Sequence, residues 1–269
     1  MKILNVIFFV FTGLYILVLI LAFFLQDKLL FFPAAIDKDY KYALTSNDRE
    51  VFIPSSDGNT INGILYKRPG NKYVVLYFHG NGGSLDMWQT ASDYILPLNC
   101  DLLIIDYRGY GKSTGTFSEQ GFYDDAHAAY QFLLQNGYTP DQIIACGRSL
   151  GTGVAAQLAS TEKVKALVLI SPYTSLPDIA AEKMPFLLPK LLIRYQVNTL
   201  KIAPELKVPV LILHGTNDLT IPYSHAQKIY AAIKAPKKLV LIEGGGHNNL
   251  NDYAEHDKGV REFLNSLHN

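Results

Sequence analysis

Beyond about residue 41, short apolar runs alternate with amphipathic stretches along the chain. The runs are rich in Val, Ile and Leu, which is typical of strands buried on both faces, and the stretches between them have helical spacing. Two early runs flank a polar turn at residues 55–59 and predict a β-hairpin. The alternation predicts an α/β fold with a mostly parallel sheet covered by helices. The predicted strands are 50–53, 60–66, 73–78, 101–106, 142–146, 164–170, 208–214 and 238–243, and the predicted helices are 84–95, 121–135, 150–160, 224–233 and 252–267.

The stretch from residue 171 to residue 206 interrupts this alternation. It contains five prolines with apolar residues between them, and it follows the strand predicted at 164–170. Because proline ends helices and is excluded from central strands, a long helix or a core strand is not expected here. We predict a small lid insertion at 172–206. Its apolar residues either line an acyl-chain pocket or simply cover the sheet: Leu176, Met184, Phe186, Leu187, Leu188, Leu191 and Leu192.

The N-terminal residues form the longest apolar run of the chain. No residue from Ile3 to Leu25 is charged, and a helix of that length spans about 34 Å, against about 30 Å for the hydrocarbon core of a bilayer. A cleaved signal has a shorter apolar core and a small-residue cleavage site, which is missing after Leu25. We predict an uncleaved single-pass transmembrane anchor at 1–28, with a cleaved signal peptide as the alternative. Lysines flank both ends, so the side of the membrane that holds the domain is not indicated.

The rest of the chain is predicted to form a linker at 29–44 and one domain at 45–269. Residues 29–32 continue the apolar character and are expected along the membrane interface. The chain has 24 Lys plus Arg and 24 Asp plus Glu, and this balance gives no net attraction for nucleic acid. Cys100 and Cys146 are too few for a disulfide framework, and no zinc-type spacing occurs. We therefore predict no metal and no cofactor.

A nucleophile motif, Gly147-Arg148-Ser149-Leu150-Gly151, lies between a predicted strand and a predicted helix. A serine on such a sharp turn has a strained backbone, and small residues two positions away avoid a clash. The turn also brings the serine oxygen to a helix N-terminus, where the N–H of Leu150 can donate to an oxyanion. We predict that Ser149 is the nucleophile. On the pattern alone, a glycine-bearing turn with an N-cap serine is the alternative.

Three other strand ends carry groups that would complete a site for nucleophilic catalysis. The glycine loop after the strand at 73–78 contains Asn81, whose backbone N–H we assign as the second oxyanion donor. Asp218 follows the next-to-last predicted strand, and His247 ends a glycine-rich loop after the last one. In such an arrangement the histidine takes the serine proton and returns it to the leaving group, while the aspartate orients the imidazole.

Other histidines and acids are weaker candidates for these roles. His79 directly precedes the glycines of its loop and is expected to make structural hydrogen bonds. His256, nine residues past His247, is the main rival base, and Glu243, as part of a buried strand, is a weaker acid than Asp218. The remaining histidines of interest are expected on helix surfaces or at a strand end: His127, His225 and His214.

Together these motifs resemble the α/β-hydrolase superfamily, and they are most similar to its branch of single-pass, membrane-anchored serine hydrolases with an "HGN" oxyanion loop. The resemblance covers about residues 45–268 and extends to the anchor. It implies an eight-stranded, mostly parallel sheet with helices on both faces, the chain order Ser, Asp, His, and an ester, thioester or amide substrate. The residues that carry it are 79–81, 106–113, 147–151, 214–218 and His247.

The sequence thus predicts a serine hydrolase that cleaves carboxylic esters or thioesters, with acyl-chain substrates near a membrane. Its expected partners are a small or lipid-like ester and, through the N-terminal helix, the membrane; nucleic acid is not expected. A peptidase or amidase with the same triad is the first alternative. A non-catalytic, membrane-tethered binding scaffold is the second, because a fold does not dictate a function.

Overall fold

The computed structural model describes residues 2–267, so Met1, His268 and Asn269, which belong to the predicted anchor and domain ends, lie outside the described residues. Eight strands form one sheet in the order β8-β7-β6-β5-β3-β4-β2-β1. Strand β1 pairs antiparallel with β2, and β2 pairs antiparallel with β4, while all other pairs are parallel. The eight predicted strands are all present, and none of their ends is shifted by more than two residues. Their bounds are β1 Asp48–Pro54, β2 Thr60–Tyr66, β3 Tyr73–Phe78, β4 Cys100–Ile105, β5 Ile143–Arg148, β6 Ala166–Ile170, β7 Val210–Gly215 and β8 Lys237–Ile242.

Helices cover both faces of this sheet and bury apolar side chains against it. Their bounds are α1 Lys2–Leu30, α2 Leu85–Trp88, α3 Ser92–Ile95, α4 Glu119–Gln135, α5 Leu150–Thr161, α6 Leu176–Lys183, α7 Pro189–Leu192, α8 Thr199–Ile202, α9 Ser224–Ala232 and α10 Ala254–Ser266. Helices α4, α5 and α9 pack on one face. Helices α2, α3 and α10 pack on the other. Because both faces of the sheet are covered, the side chains on both sides of each parallel strand are buried, and the strands are continuous apolar runs in the sequence.

The helix predicted at 84–95 is broken into α2 and α3 by a 3₁₀ turn at Gln89–Ala91. Two side chains bind carbonyl groups three residues back: Gln89 Nε2 donates to Asp86 O at 2.8 Å, and Thr90 Oγ1 donates to Met87 O at 3.0 Å. Side-chain bonds of this kind compete with the helical ladder. The apolar spacing of the sequence does not indicate these side-chain hydrogen bonds, so it predicts one unbroken helix.

The segment between β6 and β7 consists of short pieces, α6, α7 and α8, with a 3₁₀ turn at Pro185–Leu187 between the first two. Pro177, Pro185 and Pro189 each stand in the first turn of a piece, where proline has no N–H to lose. We call residues 172–206 the lid. The lid contacts α1 as well as the cavity described below.

Helix α1 is long and apolar enough to cross a bilayer, and large apolar side chains are exposed along it. The residues directly after α1 pack against the domain. Phe32–Pro33 pair in parallel with Gly82–Gly83 as a small second sheet. The expected position of residues 29–32 along the membrane interface is wrong for Phe31, whose side chain is only 3% exposed. The centre of its ring lies 4.8 Å from the centre of the Tyr195 ring and 5.0 Å from that of Phe117.

Candidate active site

Ser149 stands at the junction of β5 and α5, with φ 50° and ψ −117°. This left-handed φ is strained for a serine, and its neighbours must leave room for the turn. A Cβ on Gly147 would overlap the carbonyl of Gly151, and one on Gly151 would overlap the carbonyl of Phe78. The N–H of Ser149 donates to Ile170 O at 2.9 Å, which ties the turn to β6. The side-chain oxygen is therefore held above the carboxyl end of the sheet.

The structure brings His247 between Ser149 and Asp218. The His247 Nδ1 atom lies 2.7 Å from Asp218 Oδ2, and its Nε2 atom lies 3.0 Å from Ser149 Oγ. An ionised carboxylate only accepts hydrogen bonds, so Nδ1 carries the proton. In the neutral ring Nε2 is then an acceptor, and it accepts a hydrogen bond from the hydroxyl group of Ser149. This is the arrangement that nucleophilic catalysis by a serine needs.

Asp218 is buried but well provided with donors. Its Oδ1 atom accepts the N–H groups of Thr220 at 2.9 Å and Ile221 at 2.8 Å. Its Oδ2 atom lies 2.7 Å from His247 Nδ1 and 3.3 Å from His214 Nε2. Burial raises the pKa of Asp218, but the hydrogen bonds from His214, His247 and Ile221 outweigh it and hold the pKa well below its ordinary value. The carboxylate therefore stays ionised at neutral pH.

The two predicted oxyanion donors border the same cavity as Ser149. Leu150 is the first residue of α5, so its N–H has no partner within the helix. The loop of Asn81 is fixed from two sides: its Nδ2 donates to Leu30 O at 2.5 Å, and its carbonyl accepts the hydroxyl of Tyr110 at 2.9 Å. The end of α1 thus holds the loop that carries Asn81.

His79 and Asp106 lie below this loop, and both are fully buried. His79 Nε2 lies 3.2 Å from Asp106 Oδ1, and its Nδ1 lies 2.6 Å from Gly80 O. Burial raises the pKa of Asp106, although the imidazole opposes the shift. The His79 ring also stacks 5.6 Å from the ring of Trp88. These contacts give His79 the structural position that the sequence suggested.

The rival residues lie elsewhere, and two expectations about them are wrong. His225 is fully buried rather than on a helix surface, with Nδ1 2.9 Å from Thr174 Oγ1 and Nε2 3.1 Å from Glu182 Oε1. Glu243 follows the end of β8 and is exposed rather than buried. His256 borders a separate small cavity on the opposite side of the sheet from α5. Burial lowers its pKa to about 4.

Arg148 is a residue of the site that sequence reasoning missed. Its Nη2 donates to the carbonyl of His247 at 3.1 Å, and its guanidinium lies 5.5 Å from the centre of the Trp88 ring. It therefore connects the nucleophile turn with the loop of the proposed base. The only signal in the sequence is its position directly before Ser149. That position of the motif accepts any residue type, so it does not indicate a partner 99 residues away.

The cavity at Ser149 and His247 has a volume of about 520 Å³. That is within the usual range for a small-molecule site. One wall is apolar and comes from the end of α1 and from the lid: Leu29, Leu30, Leu176, Ile179, Ala180 and Met184. Between residues 2 and 267, no group of three or more His, Cys, Asp or Glu side chains is arranged to hold a metal ion.

Similarity to known proteins agrees with this architecture. A family model described as the alpha/beta hydrolase fold matches residues 73–200, and one described as serine aminopeptidase, S33, matches residues 177–254. Alpha/beta hydrolase domain-containing protein 17B of Homo sapiens is 32% identical over 238 residues, which cover 84% of this chain and 79% of the human protein. The corresponding protein 17C of Xenopus tropicalis is 33% identical, with 84% and 73% covered. An uncharacterised protein of Mycobacterium tuberculosis is 34% identical over 228 residues, with 83% and 81% covered.

Solved structures show the same fold at lower identity. An esterase of Pyrococcus furiosus superimposes with a TM-score of 0.73 at 21% identity, over 88% of this chain and 98% of the esterase. An esterase of Exiguobacterium antarcticum gives 0.62 at 19% identity, over 82% and 100%. The narrower resemblance to a membrane-anchored branch with an "HGN" oxyanion loop stays a prediction. The solved structures confirm the predicted fold, and the relatives confirm the predicted superfamily: the chain is a hydrolase that belongs to the α/β-hydrolase superfamily.

Proposed function

We propose that the protein is a serine hydrolase that cleaves carboxylic esters or thioesters with Ser149 as nucleophile, His247 as base and Asp218 as orienting acid. The observation that carries the proposal is the continuous pair of hydrogen bonds from Asp218 through His247 to Ser149, at 2.7 and 3.0 Å. The strained turn at Ser149 supports it, because strain of this kind is kept mainly at functional positions.

In the proposed mechanism His247 Nε2 takes the hydroxyl proton as Ser149 Oγ attacks the carbonyl carbon. The N–H groups of Leu150 and Asn81 stabilise the tetrahedral oxyanion, each by about 3–4 kcal/mol. The protonated imidazole gives its proton to the leaving oxygen or sulfur, and Asp218 stabilises the imidazolium without taking the proton. Water, activated by the same histidine, then releases the acyl group as a carboxylic acid and restores the serine.

The substrate proposed for this site carries an acyl chain and meets the enzyme at a membrane. An apolar wall from α1 and the lid borders the cavity, and α1 is suited by length and composition to anchor the chain. Resistance of the full chain to alkaline extraction from membranes, together with an intact N-terminus by mass spectrometry, would support an uncleaved anchor. A mature chain that lacks its first residues would instead support a signal peptide.

The first experiment is labelling with a fluorophosphonate probe, which modifies activated serines. We expect the full chain in detergent to be labelled and the variants Ser149→Ala and His247→Ala to lose labelling. Ser160→Ala is a matched control, because Ser160 lies on α5 and its hydroxyl only bonds the carbonyl of Gln157. Labelling that survives Ser149→Ala would refute the assignment of the nucleophile. Failure of folded wild-type protein to react would favour the binding-scaffold alternative.

A second candidate, a peptidase or amidase, is favoured by the serine aminopeptidase model that matches residues 177–254. The same triad would serve it, since only the leaving group differs. Matched ester and anilide substrates with one acyl group separate the two functions. We expect kcat/KM to be far higher for the ester, and comparable values, or higher values for amino-acyl anilides, would replace the esterase proposal.

A further inference from the structure

A smaller apolar groove between α1 and the lid adjoins the cavity at Ser149. The groove has a volume of about 50 Å³ and shares four lining residues with the larger cavity: Leu29, Leu30, Ala180 and Met184. Beyond these four, the groove is lined by apolar side chains and by Gln26. Both amide atoms of Gln26 are occupied, since Nε2 donates to Phe23 O and Oε1 accepts the N–H of Arg194, each at 2.7 Å. A methylene chain in the groove would therefore leave no polar atom of Gln26 unpaired.

The groove leads along α1 toward its uncharged part. From Leu30 to Ala22 it follows the helix for about 12 Å, at about 1.5 Å per residue. Asp27 is the first charged residue of α1 after this uncharged part. Its carboxylate accepts hydrogen bonds from Arg194 Nη2 and from the hydroxyl of Tyr195, both at 2.7 Å. Between residues 3 and 25 the exposed surface of α1 carries no charge. The outer end of the groove thus opens beside the segment suited to lipid.

The tip of the lid presents apolar surface on the same side. Phe186 is 60% exposed and Leu188 is 42% exposed. The carbonyl of Phe186 accepts the hydroxyl of Tyr15 at 2.8 Å, so the lid runs beside α1 well into its uncharged stretch. Large exposed apolar side chains next to an apolar helix fit a hydrocarbon surface rather than water.

We propose that this groove is the acyl-chain channel of the enzyme and that it connects Ser149 with the hydrocarbon of the bilayer. The proposal rests on the ester hydrolysis proposed above and narrows its substrate to medium- or long-chain acyl esters or thioesters of amphiphiles that reside in the membrane. The carbonyl lies at Ser149, and the chain passes between the end of α1 and α6. The polar leaving group lies toward Thr220 and Asn248, which line the cavity and not the groove. The transmembrane helix is then a wall of the substrate site as well as an anchor.

The test is an acyl-length series, from acetyl to hexadecanoyl esters of one leaving group, with the full chain in detergent. Ala180→Trp and Met184→Trp put an indole at the junction of cavity and groove. Leu192→Trp obstructs only the outer groove, because Leu192 lines the groove and not the cavity. Leu191→Trp is the matched control: Leu191 is also on α7, but it is 78% exposed and lines neither space.

We expect both junction variants to lower the ratio of octanoyl to acetyl kcat/KM by at least about tenfold, since one methylene excluded from an apolar pocket already changes this quantity about tenfold or more. Leu192→Trp should shorten only the longest accepted chain, and Leu191→Trp should keep the wild-type profile. An unchanged length profile in both junction variants that still turn over acetyl ester would overturn the channel alone. A wild-type protein that hydrolyses neither the esters of the series nor the matching thioesters would overturn the proposed function and the channel with it.

Discussion

Replacing Phe31 with alanine tests whether the chain after α1 is part of the domain core. The Phe31 side chain is 3% exposed, and its ring lies 4.8 to 5.4 Å from the rings of Tyr195, Phe117 and Phe122. Truncating a buried phenylalanine destabilises a protein by about 3–5 kcal/mol, through lost burial and the cavity left behind. The ion pair of Asp27 with Arg194 fixes the end of α1 and limits collapse into that cavity. We therefore expect a loss in the free energy of unfolding near the upper end of this range.

The neighbouring Phe32 provides the control. Its side chain is 58% exposed, and it pairs with Gly82 only through the backbone, which alanine retains. We expect Phe32→Ala to change the free energy of unfolding by less than about 1 kcal/mol. For a domain of this size 1 kcal/mol shifts Tm by about 2–4 °C, so a loss near about 5 kcal/mol in Phe31→Ala should lower Tm by about 10–20 °C.

The assay is thermal unfolding of the two variants and the wild type in the same detergent, followed by near-ultraviolet circular dichroism. Phe31→Leu keeps most of the buried volume and should recover more than half of the loss. Equal Tm values for Phe31→Ala and Phe32→Ala would refute the reasoning. They would mean that the chain after α1 does not pack in the core in solution.

Three further predictions concern the site and its surroundings. Asp218→Asn should lower kcat about 10⁴-fold, because an amide no longer selects the tautomer of His247 that accepts the serine proton. Glu243→Gln, the same change at an exposed acid, should leave kcat unchanged, and equal losses in the two variants would contradict the assignment. Gly151→Ala should destabilise the fold by several kcal/mol, since its methyl group overlaps the backbone at the end of β3; an unchanged Tm would contradict this geometry. Burial lowers the pKa of His256 from 6.5 to about 4, so as the pH falls the unfolded chain takes up the proton first. The free energy of unfolding should then fall by about 3 kcal/mol between pH 6.5 and pH 4, and chemical denaturation of His256→Leu across this range should show a shallower fall.

The strands and the candidate site residues were readable from the sequence because their signals are local. Each buried strand is a run of Val, Ile and Leu bounded by turn residues, and this pattern needs no knowledge of the partner strand. The signal for the turn at Ser149 is equally local, because the space around it requires small residues at 147 and 151. Asp218 and His247 could be named because the carboxyl ends of parallel strands meet at one edge of a sheet.

The parts that sequence reasoning missed depend on partners that are distant in the chain. Helical periodicity predicts a surface position for His225, because it does not reveal that Thr174 and Glu182 of the lid cover this side chain. No local pattern indicates a role for Arg148, because its partner is a carbonyl group on another loop. Phe31 continued an apolar run, and such a run is equally compatible with lipid and with a protein core.

The end of α1 contacts the loop of Asn81, so its position bears on the proposed reaction as well as on the proposed anchoring. The loop of Asn81 contains adjacent glycines, and glycine backbones are free to leave the geometry that an oxyanion donor needs. Contacts from outside restrict this loop: Leu30 accepts from the Asn81 side chain, Phe32–Pro33 pair with Gly82–Gly83, and Ala34 accepts from Ser84 Oγ at 2.7 Å. Because oxyanion stabilisation depends on donors fixed before the reaction begins, these contacts should contribute to kcat rather than to stability alone. In this protein the end of α1 and the loop of Asn81 form one structural unit, so a change in the position of α1 reaches the proposed reaction centre through two backbone pairings, one side-chain amide and one side-chain hydroxyl.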